Sequence, residues 1–262
     1  MDKEIKRWIT VKGVHVPIFE GQSARDAVKA HFDPDGSKGI DYIEDEEPTV
    51  VDPSKAEKKE TVSHRTFTDK KSVNDFFFYD DERRGLLVKR NSTHGKWEQN
   101  LTPRQREVLN NYTADGYSNI NSYLRGYDNG NKYSLDFVKS EVAALDKAIA
   151  DYELREPIVT YRCVNSDAFS EYLDDISKLI GTEYSDPAFM SSSPSLDSTA
   201  LNKDLTMVIK LPKGKGIGAY INEFNGNDDE IEFLIARGSK YKITNAYKKN
   251  KNNYYVEMEL MQ

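Results

Sequence analysis

Two glutamates separated by a single isoleucine, Glu230 and Glu232 in "NDDEIEFLIA", raise the first chemical question in this sequence. On a strand successive side chains alternate faces, so this spacing sends both carboxylates to one side and Ile231, Phe233 and Ile235 to the other. Paired carboxylates suit a reaction that builds positive charge on a sugar ring, because one fixed anion stabilises an oxocarbenium ion while the second handles the incoming nucleophile. Glycosyl transfer is therefore one reading. A solvated strand face in an acidic protein is the other.

Three further clusters carry chemically capable residues. Arg162 stands in the β-rich run "VTYRCV", where a guanidinium needs an anionic partner and its planar fork suits phosphate as well as carboxylate. A structural ion pair is the plainer account. Ser191, Ser192 and Ser193 in "PAFMSSSPS" can form a turn, cap a helix, or fix a nearby carboxylate by hydrogen bonding. A nucleophilic serine is disfavoured, since there is no G-x-S-x-G elbow and all four histidines precede residue 95. In "NNYTADGYSNINSYLRG", Tyr112 and Tyr117 can wall a pocket, Asn121 can read an adenine edge or a carbonyl, and Arg125 follows; core packing competes with that reading.

The elements that must position these groups follow from local pattern. Thr102, Pro103 and Gln105 have the spacing of a capping box with proline at the first helical position. "SNINSYLRG" predicts a short helix closed by Gly126. "SLDFVKSEVAALDKAIADYE" predicts a longer one, because Leu135, Val138, Val142, Leu145, Ile149 and Tyr152 recur at steps of three and four. After Pro157 comes the strand-like "IVTYRCV", then an expected helix from about Asp167 to Ile180 stopped by Gly181. Beyond it "AFMSSS", "LTMVIKLP", "GIGAYI", "EIEFLIA", "SKYKITNAY" and "NNYYVEMELM" alternate with turn residues. Helices followed by strands predict an α+β domain over 64–262. Ahead of it, 1–32 read as a short strand-and-helix segment in which Ser23 caps the helix. Residues 33–63, with three prolines and dense charge, read as an acidic flexible linker.

Composition narrows the function classes. The chain has 262 residues, 37% of them hydrophobic, and a net charge of −7, which argues against a general nucleic-acid binder. Cys163 is the sole cysteine, so neither an internal disulfide nor a cysteine-rich zinc site can form. No run approaches the roughly 20 apolar residues of a bilayer span, and "MDKEIKRWITVKG" lacks a secretory signal's apolar core. The expectation is a protein made in the cytoplasm.

Taken in chain order, the four clusters resemble the mono-ADP-ribosyltransferase toxins of the arginine–serine–glutamate class, and among them the enzymatic components of clostridial binary and actin-modifying toxins. That family has an arginine on its first core strand, then an aromatic-x-Ser-Thr-Ser segment, then E-x-E or Q-x-E. Here these are Arg162, "FMSSS" and "EIE", and the family's helical lead-in is matched by "YTADGYSNINSYLR". The resemblance covers roughly 95–262. It implies a split antiparallel two-sheet core that binds NAD, flanked by N-terminal helices, with NAD as substrate and no metal. Arg162 would grip an NAD phosphate, the Cys163 backbone would bond the nicotinamide amide, and Tyr112, Tyr117 and Asn121 would complete the NAD site. Several relatives carry a second arginine at the position of Cys163, and Ser192 stands where threonine is usual. Lys203 is a candidate replacement for the missing cation.

In the same family Ser191 would fix Glu232, Glu232 would stabilise the oxocarbenium ion, and Glu230 would orient an arginine acceptor. Asn227 and Phe224 fall in the target-recognition turn. Relatives that modify actin often have an aromatic where Asn227 stands, and Phe224 is the nearest aromatic, so actin is one target among those the resemblance allows. The implied protein is a bacterial or phage-borne toxin or secreted effector that meets its target in a host-cell cytosol, with a separate delivery component. An NAD glycohydrolase and a non-catalytic binding module of the same fold are the alternatives.

Overall fold

The computed structural model describes residues 5–11, 14–19, 21–23, 26–27, 29–30, 63–79, 92–127, 133–226, 228–250 and 253–261. The chain divides into two compact units, Met1–Thr61 and Val62–Gln262. In the first, strands β1 (Ile5–Val11) and β2 (Val14–Phe19) form an antiparallel hairpin. Ser23 Oγ accepts the Asp26 N–H at 3.1 Å, as a cap does. The expected linker at 33–63 lies, apart from residue 63, outside the described residues.

Among the described residues, the second unit begins its regular structure with five helices: α1 (Lys70–Phe78), α2 (Thr93–Asn100), α3 (Pro103–Asn111), α4 (Tyr117–Leu124) and α5 (Leu135–Ala150). The capping box at Thr102 forms as its sequence predicts. Thr102 Oγ1 accepts the Gln105 N–H and Gln105 Oε1 accepts the Thr102 N–H, satisfying two donors at the start of α3. A π-helical turn, Tyr112–Gly116, joins α3 to α4, and α4 ends at Gly126 in the left-handed conformation. On α5, Val138, Val142, Leu145 and Ile149 are buried while Leu135, in its first turn, remains half-exposed.

Two sheets follow. A five-stranded sheet has the order β4-β7-β12-β11-β5, built from β4 (Ile158–Val164), β5 (Glu183–Ser185), β7 (Leu205–Leu211), β11 (Lys240–Asn250) and β12 (Asn253–Leu260). A three-stranded sheet has the order β6-β10-β9, built from β6 (Met190–Ser192), β9 (Gly218–Tyr220) and β10 (Phe233–Ile235). The short strands β3 (Glu153–Leu154) and β8 (Gly214–Lys215) pair with each other. A reciprocal pair of 2.7 Å hydrogen bonds between the backbones of Tyr161 and Ser193 joins β4 of the larger sheet to the residue after β6 of the smaller one. The α+β class and the split pair of sheets agree with expectation. One pairing departs from the all-antiparallel arrangement: β12 runs parallel to β7, because β11 and β12 form a hairpin whose second arm enters beside β7 in the same direction.

The single helix expected over Asp167–Ile180 is replaced by two 3-10 segments, Ser166–Tyr172 and Ile176–Leu179. Phe169 leaves helical geometry to bury its ring, and Asp175, ahead of the second segment, takes a non-helical φ of −152° and accepts from the Ser177 hydroxyl at 2.5 Å.

The smaller sheet is packed tightly enough to demand glycine at one place. A Cβ added to Gly218 would lie 2.6 Å from the Leu234 carbonyl oxygen and 2.5 Å from the Phe233 ring. Because two of the obstacles belong to the β10 backbone, Gly218→Ala should destabilise the domain by roughly 1–3 kcal/mol. A denaturant midpoint lowered accordingly supports this packing, and an unchanged midpoint contradicts it.

Candidate functional site

The sheet seam creates the cleft. Tyr161 uses its backbone groups toward Ser193, so strand alternation sends those of Cys163 off the same edge of β4, while Arg162 between them pairs with Met207 of β7. Arg162 Nη1 reaches back across the seam and donates to the Ser191 carbonyl at 2.7 Å. A cleft of about 500 Å³ opens here, walled by the π-helical turn and α4 on one side and by Arg162, Ser191, Glu230 and Glu232 on the other. Tyr112, Tyr117, Asn121 and Arg125 line it as well. Tyr112 is fully buried, Tyr117 is half-exposed at the mouth, and Asn121 Nδ2 donates to the Tyr112 hydroxyl at 3.0 Å. Asn121 Oδ1 is buried with no hydrogen-bond partner.

The two glutamates meet in the cleft by a route other than strand alternation. Asp228–Glu230 form a 3-10 turn, Ile231 takes a left-handed φ of 51°, and β10 begins only at Phe233. The expectation that both carboxylates sit on a strand is thus corrected. A β-branched residue in that region is strained, and burial of its side chain at 1% exposure helps to hold it there. Asn225 Nδ2 then donates to both carboxylates, to Glu230 Oε2 at 2.7 Å and to Glu232 Oε2 at 3.2 Å.

The two carboxylates differ in environment. Glu230 is half-buried, its carbonyl held by Ser198 Oγ at 2.6 Å, and Lys70 steadies the same turn through Asp229 at 3.2 Å. Glu232 is only 6% exposed, and its N–H donates to Asn222 Oδ1 at 3.0 Å. Burial pushes the Glu232 carboxyl up to about 7; a hydrogen bond from Ser191 opposes this, the nearby Glu230 charge adds to it, and Asn225 and Arg162 pull it back. Burial also raises the Tyr112 hydroxyl well above its usual range.

A family model described as ADP-ribosyltransferase exoenzyme matches residues 90–262, two thirds of the chain. The chain belongs to that family. A curated relative, the NAD(+)--arginine ADP-ribosyltransferase EFV of Enterococcus faecalis, is 30% identical over 159 residues; these are 56% of this chain and 30% of the relative, so the chain spans under a third of that protein's length. Among solved structures, the ADP-ribosylating toxin BECa of a Clostridium perfringens binary enterotoxin, solved with NADH, superposes with a TM-score of 0.63 at 21% identity, over 76% of this chain and 50% of that one. Plx2a, an ADP-ribosyltransferase toxin from Paenibacillus larvae, gives 0.61 at 20% identity, over 76% of this chain and all of that one. Both likenesses establish the ADP-ribosyltransferase toxin fold.

Within this exoenzyme domain, Arg162, Ser191, Glu230, Glu232, Tyr112, Tyr117 and Asn121 line one cleft. The Cys163 thiol turns to Thr206 Oγ1 at 3.4 Å, leaving only its backbone near the seam. Lys203 is exposed and outside the cleft lining. The half-buried Phe224 ring packs edge-on to Trp97 at 6.2 Å, and its carbonyl accepts from Thr113 Oγ1 at 2.5 Å, so this aromatic supports the turn from behind. Asn227 lies outside the described residues. Sequence reading missed Asn222, Asn225 and Ser198, whose side chains hold the glutamates. The only signal was the crowding of asparagines in "INEFNGNDD".

The raised Glu232 value has a stability consequence. Between about pH 4.5 and pH 7 the folded protein holds a proton on Glu232 that the unfolded chain has released, so stability from this group falls as pH rises through that window, by on the order of 3 kcal/mol. Glu232→Gln abolishes that loss. The variant should melt at a higher temperature than the parent at pH 8 and close to it near pH 4.5; a constant difference across that range would refute the assignment.

Proposed function

We propose that this chain transfers ADP-ribose from NAD to an arginine side chain of a protein. The carrying observation is the carboxylate pair bridged by Asn225, with one member buried against Ser191 and the other half-exposed in the same cleft. The 30% identity to a protein named as an NAD(+)--arginine ADP-ribosyltransferase supports the reading. So does the convergence of cation, hydroxyl and carboxylates in a cleft of a size suited to a dinucleotide.

In this mechanism Arg162 pairs with an NAD phosphate, and the backbone of Cys163 bonds the nicotinamide amide. Tyr112, Tyr117 and Asn121 wall the rest of the NAD site. The bond between the ribose C1 and the nicotinamide nitrogen breaks, its electron pair leaving with neutral nicotinamide. The resulting oxocarbenium ion is stabilised by Glu232, whose hydrogen bond from Ser191 holds it in position and whose poor hydration strengthens its pull on the nearby positive charge. Glu230 pairs with the incoming guanidinium and takes one N–H proton from it as that nitrogen bonds to C1, afterwards releasing the proton to water. No metal enters these steps.

The catalytic domain is 64–262, with 1–32 and 33–63 as separate preceding segments. The target is a protein with an accessible arginine, met in a host cell after delivery by another component. A glycohydrolase would use the same Glu232 with water as acceptor, so the two readings part at Glu230.

The test uses NAD, the small guanidine agmatine, and separate assays of nicotinamide release and ADP-ribosyl-agmatine. Glu232→Gln should cut both by roughly 10²–10³-fold or more. Glu230→Gln should cut transfer by about 100-fold while nicotinamide release stays within a few-fold of the parent. If release is unaffected by Glu232→Gln, the mechanism is wrong. If transfer survives Glu230→Gln, the acceptor role is wrong.

The protonated, neutral form of Glu232 is inert here, so pH matters as well. The carboxylate must be ionised to stabilise the oxocarbenium ion, and kcat/KM for nicotinamide release should therefore fall below about pH 7. In Glu230→Gln the neighbouring charge is gone and the acidic limb should move to lower pH. A limb that does not move argues against electrostatic coupling of the pair.

A further inference from the structure

Behind the cleft lies a second cluster that the proposed reaction does not use. His94 and Glu98 stand one helical turn apart on α2, and Glu223 approaches from the 3-10 turn Asn222–Phe224. One donor atom from each lies within 4.8 Å of the others. None of the three lines the cleft. We propose that His94, Glu98 and Glu223 form a binding site for one divalent transition-metal ion of the zinc type.

The imidazole is preorganised for this. His94 is 2% exposed and enclosed by the rings of Phe78, Trp97, Tyr152 and Tyr220, with centroids 5.1–5.9 Å away. Its Nδ1 meets the Tyr152 hydroxyl at 3.3 Å, and its Nε2 faces Glu223 Oε1 at 2.5 Å. A hydroxyl on one imidazole nitrogen orients the ring and leaves the other to a metal, as supporting groups do around ligating histidines. In the hydrogen bond to Glu223 a proton sits on Nε2; a divalent ion takes that place, and Nδ1 then carries the imidazole proton toward the Tyr152 oxygen.

Glu98 supplies the third ligand. Its carboxylate stands 3.5 Å from Arg106 Nη1, a long ion pair, while another Arg106 guanidinium nitrogen donates to the Glu98 carbonyl. Arg106 therefore keeps its anchor when the carboxylate turns inward. Tetrahedral donors around zinc stand about 3.4 Å apart, so the Glu98 side chain rotates in and the His94–Glu223 contact opens. One imidazole and two carboxylates leave a fourth position for water. The nitrogen ligand selects zinc and its neighbours over magnesium and calcium, which favour all-oxygen sets.

The location gives the ion a consequence. The turn it would fasten to α2 carries Asn222, which accepts the Glu232 N–H, and leads directly into Asn225, which bridges both glutamates. Metal occupancy thus steadies the support of the carboxylate pair from the side opposite the substrate.

The test needs no NAD, so its outcome is independent of the transferase reading. The 262-residue chain, stripped with EDTA, is titrated with ZnCl2 against a chromophoric chelator, and thermal melts are recorded with and without Zn²⁺, Mg²⁺ or Ca²⁺. The expected result is saturation at one Zn²⁺ per chain and a melting temperature raised by Zn²⁺ alone. Glu98→Gln and Glu223→Gln, both partly exposed positions, should retain the fold by far-UV circular dichroism and each weaken Zn²⁺ binding by about tenfold or more. Absence of saturable binding overturns the proposal. So does parental affinity in both variants, or an equal response to Mg²⁺.

Discussion

A carboxylate withdrawn from water stays ionisable near neutrality only where hydrogen bonds and positive charge offset much of its lost hydration, and Glu232 sets that requirement for the whole cleft. Ser191 and Asn225 supply the hydrogen bonds, and Arg162 supplies the charge. Each comes from a different element: β6, the loop after the Asn222 turn, and β4. The two sheets must therefore meet at a fixed seam, which the paired Tyr161 and Ser193 backbones provide. Glu232 is held at a cost to stability, since an interior glutamine would carry no such burden. Domains commonly retain strain and desolvation of this kind where chemistry requires it.

The asymmetry between the two glutamates follows from how the chain reaches them. Left-handed Ile231 turns the backbone between them, so Glu232 faces the interior while Glu230 stays with the more exposed 3-10 turn. A regular strand would have given both carboxylates similar surroundings. Asn225 then joins the pair through a single amide group, and the charge of Glu230 is felt at Glu232.

The parts of this architecture that rest on local rules were legible in the sequence. The Thr102 box, the apolar stripe on α5 and the stop at Gly126 each depend on residues a few positions apart, and each formed as expected. The members of the site were legible through the ordered resemblance of four short segments. What stayed hidden depends on partners distant in sequence. The parallel entry of β12 beside β7 leaves no trace in alternation, and nothing in "NEFNGNDD" distinguishes the asparagine that bridges two carboxylates from its neighbours. The segment over 167–180 looked helical because its composition is helix-compatible, whereas burial of Phe169 and the short-range pull of Asp175 on Ser177 broke it into tighter turns.

Strand β12 occupies the centre of the five-stranded sheet although it follows every other strand in chain order. Its neighbour β7 lies some fifty residues earlier, and the β4 edge that bears Arg162 is reached only through β7. During synthesis the larger sheet therefore cannot close until residues 253–260 have left the ribosome, and the nascent chain must wait with β4 and β7 lacking their inner neighbour. Such long-range closure makes for slow folding. It also means that a chain drawn through a narrow passage from its N-terminal side would regain its cleft only after residues 253–260 had crossed.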